Sequence, residues 1–191
     1  AEISGPADEL VALLPLECVE LIQNSFAELL GVMVVVTNMD GHPITRPSNA
    51  CGLFEAISEE PQALEKCLES WQAMGQAIEI EPKFSQTHLG LLCTRALIRV
   101  GHELKGMVVA GCVAADEWPP SEEEIEEMAQ ELGVPTQLVE SHLEDVYTLS
   151  DDQRARVLAY IQRIANIVAH IVNERQVLVG RLAAIANLTE M

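Results

Sequence analysis

The residues of this chain that could do chemistry are its five cysteines, its five histidines and a large excess of carboxylates. Cys51, Cys67, His88 and Cys93 form the sharpest set, because three thiolates and an imidazole suit zinc, and thiolates also hold iron–sulfur clusters. A metal, heme or thiol redox sensor built on these four is one reading, with His88 as the axial ligand of iron or heme. Two features weigh against it. No Cys-x-x-Cys knuckle occurs, and on one regular strand His88 and Cys93 point to opposite faces. The other reading is a mostly apolar cavity lined by Cys67, Trp71, Phe84, His88 and Cys93, with one or two polar groups to fix a small organic ligand. Simple core packing accounts for the same residue types. Catalysis finds little support. Gly-x-Ser-x-Gly, a phosphate loop and His-Glu-x-x-His are absent, and a Cys67–His88 nucleophile rests on residue type alone. The chain is expected not to be an enzyme.

The elements that must position these residues follow from periodicity. Phe84 to Ala115 reads as two long strands joined at a tight Gly-His-Glu turn, and it carries His88, Cys93 and Cys112. In its first arm the even positions Leu92, Ala96, Ile98 and Val100 are apolar, whereas the odd positions mix Leu91, Cys93 and Leu97 with Arg95 and Arg99, the mark of a half-buried strand. The second arm is apolar on both parities apart from Lys105, as in a central strand, and Gly106 and Gly111 leave room for close backbone approach. Ahead of this hairpin, Leu13, Leu16, Val19, Ile22, Phe26, Leu29 and Leu30 recur at helical spacing, with Pro15 as a break and Gly31 as a stop. Cys18 is expected to pack on or beside that stripe. A β-branched strand over 32–38 turns at Met39-Asp40-Gly41-His42 into Pro43-Ile44-Thr45, and two short helices follow over 51–57 and 61–75.

Beyond the hairpin, Ser121 and Glu124 spell a capping box, Gly133 and Pro135 punctuate a second helix, and Ser150 with Gln153 opens a third. This last helix meets no breaker until Gly180. Ile161, Ile164, Val168, Ile171, Leu178, Leu182 and Ile185 fit a seven-residue repeat in which Arg175 is the charged member, a pattern that argues for a parallel homodimer.

Charge narrows the partners. With 30 acidic against 11 basic side chains the formal charge is -19, so nucleic acid and anionic lipid are repelled. Neither a membrane-spanning run nor a signal peptide is read from the sequence, and an odd set of cysteines without a framework suits reduced thiols, so a cytoplasmic setting is expected.

The order of helix, hairpin with an Asp-Gly turn, two helices and long antiparallel hairpin resembles a PAS-like sensor. More narrowly, the stretch GVMVVVTNMDGHPIT, the later Cys67, Thr87-His88-Leu89-Gly90-Leu91 and LKGMVVAGCV at Leu104 to Val113 resemble the PocR family of ligand-binding sensory domains. That family's Cys-His-x-Gly-Leu motif is matched here at His88, Gly90 and Leu91 but not at Thr87, and a family cysteine corresponds to Cys51 or its neighbourhood. The resemblance implies an α+β fold with a PAS-like central antiparallel β-sheet flanked by helices, set here on one face, and a long C-terminal signalling helix. The chain is expected to divide into a sensory domain over 1–149 and a C-terminal signalling and dimerisation helix over 150–191. It also implies a bacterial-type signal-transduction or transcription regulator, whose small-molecule signal passes to an output module not contained in this chain.

Overall fold

A computed structural model describes residues 6–87 and 89–189, so His88 lies outside the described residues. Pro15 splits the first helical run into α1 (Pro6–Leu13) and α2 (Leu16–Leu30), and Gly31 stops α2 in the left-handed region at φ 66°. β1 (Met33–Asn38) follows. Its returning arm pairs only through the bridges Thr37–Pro43 and Val34–Ser48, less than a full hairpin. Two helices come next, α3 (Gly52–Ser58) and α4 (Pro61–Gln76). The short strand β2 (Ser85–Gln86) leads into the hairpin of β3 (Leu91–Val100) and β4 (Glu103–Ala114). The capping box forms at the start of α5 (Glu122–Leu132); α6 (Thr136–Ser141), a 3-10 turn at Leu143–Asp145 and α7 (Asp151–Thr189) complete the chain.

The sheet is antiparallel in the order β1-β4-β3-β2. β4 is central, as its apolar residues on both parities require. The fold is therefore α+β and PAS-like, but helices cover both faces rather than one. Even residues of β3 (Leu92, Ala96, Ile98, Val100) pack with α1, α2 and α7, while odd residues (Leu91, Leu97) pack with α3, α4, α5 and α6. A central strand apolar on both parities leaves no face that tolerates water.

Two further expectations need correction. Cys18 is exposed, because the buried stripe of α2 runs through Val19, Gln23, Ala27 and Leu30. Gln23 is drawn inside as a polar hub: its amide nitrogen donates to the Arg46 carbonyl at 2.8 Å and to Ser48 Oγ at 2.6 Å, while its oxygen accepts from Thr45 Oγ1 at 2.6 Å. The C-terminal heptad is not one continuous seam either. Ile161, Ile164 and Val168 are buried against the sheet, whereas Leu178, Leu182 and Ile185 are exposed. The 39-residue α7 is about 58 Å long at 1.5 Å per residue, and its apolar face simply continues past the end of the domain.

The register between β3 and β4 breaks at Cys93. Leu92 pairs with Val113 and Thr94 with Ala110, so β4 spends one residue more than β3 and both Gly111 and Cys112 oppose Cys93. This is a β-bulge, which re-aims a side chain. Cys112 sits there with φ 62° and joins the layer under α3 and α4.

Candidate functional site

The site is built where the bulge faces α4. Cys67 and Trp71, one turn apart on α4, look down on Cys93 from β3 and Cys112 from β4, with Met33 of β1 beside them. Phe54 of α3 stacks on Trp71 with ring centroids 6.0 Å apart and planes 22° from parallel. Leu89 and Leu91 close the end, and Ser70 and Thr87 supply hydroxyl groups. Thr87 Oγ1 is also tied back, donating to the Leu91 carbonyl at 3.1 Å. Gly111 opposes Cys93 in the bulge. A Cβ at that position would lie 2.7 Å from Cys93 Sγ.

The cavity lined by these walls is about 30 Å³, room for about two water-sized guests. Burial pushes the Cys67 and Cys93 thiols up to about 12. Both are neutral thiols at physiological pH, so the walls present polarisable, uncharged sulfur. Cys51 lies behind them, at the residue preceding α3, buried in the same core layer as Cys112.

Of the residues singled out in the sequence, Cys67, Trp71 and Cys93 come together on this cavity, and Phe84 does not. β2 pairs Ser85 with Cys93, so Ser85 shares the cavity face and its neighbour Phe84 falls on the other side, against the α7 layer. His88 lies outside the described residues. Among the described residues, no three histidine, cysteine, aspartate or glutamate side chains converge as a metal site. Met33, Phe54, Leu89, Leu91 and Cys112 also line the cavity, and the sequence reading did not assign them to the site. Cys112 was hidden because β4 is apolar on both parities, so its face could not be read without the bulge; the signal available was the adjacent Gly111, a frequent companion of bulges.

Comparison with known families matches residues 12–173 to the sensory domain found in PocR. The match takes in α2 to the first part of α7, the whole sheet and every wall of the cavity. The chain belongs to the PocR sensory-domain family. No curated protein and no solved structure matches it. As a PocR sensory domain, it places the cavity on one face of the sheet and the long helix α7 on the other. Two contacts link them. Arg154 of α7 donates to the Ala114 carbonyl at 3.2 Å and to Asp116 Oδ1 at 2.7 Å, gripping the end of β4. Tyr147, just ahead of α7, exchanges backbone hydrogen bonds with Cys112 and Ala114, each at 2.9 Å. No helix among the described residues is long and apolar enough to cross a membrane.

Proposed function

We propose that this PocR sensory domain binds a small, uncharged, largely apolar molecule in the cavity between α4 and the β3–β4 hairpin and passes its occupancy to α7. The observation that carries this reading is the cavity wall itself: an indole, a phenyl ring and thiols kept protonated by burial, with hydroxyl groups at one side. Among the described residues this lining offers an anion no compensating charge, and moving a charge there uncompensated is costly. It also disfavours a nucleophilic role for Cys67 or Cys93, since the thiolate is the reactive form. The domain binds its guest and leaves it unchanged. His88, which precedes Leu89 in the sequence, is the residue that the sequence favours to hydrogen-bond that guest.

Size sets the next step. A cavity of about 30 Å³ admits a guest of two or three heavy atoms as it stands, and a larger one only if α4 moves away from the sheet. Because β3 and β4 form the floor of the cavity and also the platform for α7, displacement of the floor tilts α7 through Arg154 and Tyr147. The exposed stripe Leu178, Leu182 and Ile185 pairs with a second copy and conveys the tilt to an output module, in a cytoplasmic regulator of transcription or signalling. Thermal unfolding with a series of uncharged alcohols and ketones of rising size tests the reading. Stabilisation that peaks at a definite size and vanishes in Cys93→Leu is expected; a response shared by Cys93→Leu, or none in the series, opposes it.

A further inference from the structure

The helix that roofs the cavity is held differently at its two ends. The last turn of α4 carries no basic residue of its own, although the carbonyls of a helix C-terminus bear a partial negative charge. Arg95 supplies the missing cation from β3. Its guanidinium donates to the carbonyls of Met74, Ala77 and Glu79, the latter two at 2.9 and 2.7 Å, and the residue is 6% exposed. On the same half of α4, two glycines let backbone meet backbone. A Cβ at Gly75 would collide with the Met39 carbonyl oxygen, and one at Gly41 would lie 2.5 Å from the Gln72 backbone nitrogen.

The start of α4 is held by less. The residue at its N-cap, Glu60, makes no side-chain cap, and the first turn has no acidic residue to meet the positive end of the dipole. The side chains buried in this half are Ala63 and Cys67, both small. An exposed hydrogen bond ties it to α5: Gln62 Nε2 donates to the Glu131 carbonyl at 3.1 Å.

We propose that α4 is a lid hinged at its C-terminal end, with Arg95, Gly41 and Gly75 as the pivot and Gln62 as the latch, so that the cavity opens on the Cys67 side. The inference rests on the reading that this cavity receives a guest, and it adds the route by which a guest larger than the resting space is admitted. Lever geometry makes the opening asymmetric. At 1.5 Å per residue, Cys67 lies about 12 Å and Trp71 about 6 Å from Gly75, so a tilt of about 10° lifts Cys67 by about 2 Å and Trp71 by about 1 Å. The indole stays as the nearly fixed wall, and added guest length is taken up toward Cys67. Arg95 does not line the cavity; it is a positioning residue that sets where the lid turns.

Hydrogen exchange on the full chain without any guest tests the hinge apart from the binding site, since either can fail while the other stands. The first amides of a helix lack intrahelical partners, so the comparison takes residues 65–69 of α4 against residues 72–76, each corrected for intrinsic rate. The expected result is exchange about tenfold or more faster over 65–69. Gln62→Ala should accelerate 65–69 alone, and Arg95→Met should accelerate 72–76 and remove the difference. A general loss of stability accelerates both segments together, so the segment-specific response separates a pivot from a merely structural contact. Equal protection of the two halves in the parent protein, faster exchange over 72–76, or a variant that accelerates both segments alike overturns the proposal. The parent comparison needs no substitution and decides even where Arg95→Met does not fold.

Discussion

Cys67 and Cys93 make the protein's stability depend on pH in a definite direction. Burial raises both thiols from 9.0 to about 12, so between those values the unfolded chain releases protons that the folded chain keeps. Stability is then fully present below pH 9 and declines as pH rises toward 12. At about pH 10.5 the loss reaches at most about 2 kcal/mol per thiol. Urea unfolding at neutral pH and near that pH checks it, and Cys67→Ala and Cys93→Ala should each flatten the decline. Gly111→Ala places a methyl group against Cys93 Sγ, an overpacking expected to cost about 1–3 kcal/mol by urea unfolding and to reduce guest binding. Tyr147→Phe removes the bond to Asn49 at 2.9 Å, worth about 1 kcal/mol in the same assay. Cys67, Trp71 and Cys93 were legible because helical spacing on α4 and odd parity on β3 place them without further information. Phe84 was not, because its face depends on how β2 pairs, and Cys112 was not, because one inserted residue reverses the parity of a strand.

At the scale of elements, α7 has two halves with different tasks. Ile164 is fully buried against β3 and β4, and burying such a side chain is worth about 1.5–3 kcal/mol. Ile164→Glu adds an unpaired buried charge to that loss and should leave no cooperative unfolding transition by circular dichroism. Leu182→Glu, at a position 57% exposed, should keep the transition of the parent protein. The helices, the break at Pro15, the stop at Gly31 and the capping box at Ser121 were legible because each is set by local chemistry. Which face of α2 or α7 is covered was not, since Gln23 and Ile164 are buried by partners distant in sequence. A heptad pattern reads the same whether its partner is a sheet or another helix.

For the whole molecule, the sheet separates the cavity from the helix that would report on it. β4 serves both: Cys112 lines the cavity, and Ala114 is held by Arg154 from α7. If α7 pairs two copies, Leu182→Glu with Ile185→Glu should give monomers in sedimentation velocity with an unchanged fold, and dimers that persist would remove the seam. The central claim, that the cavity under α4 receives the signal, is tested most directly by the fluorescence of Trp71, which is 3% exposed on its wall. In a Trp118→Phe protein, Trp71 is the remaining indole. Titration with the best small uncharged guest from the thermal series should give a saturable change in its emission, lost in Cys93→Leu. Saturable binding of that guest with no response from Trp71, or with the same response in Cys93→Leu, would contradict the account.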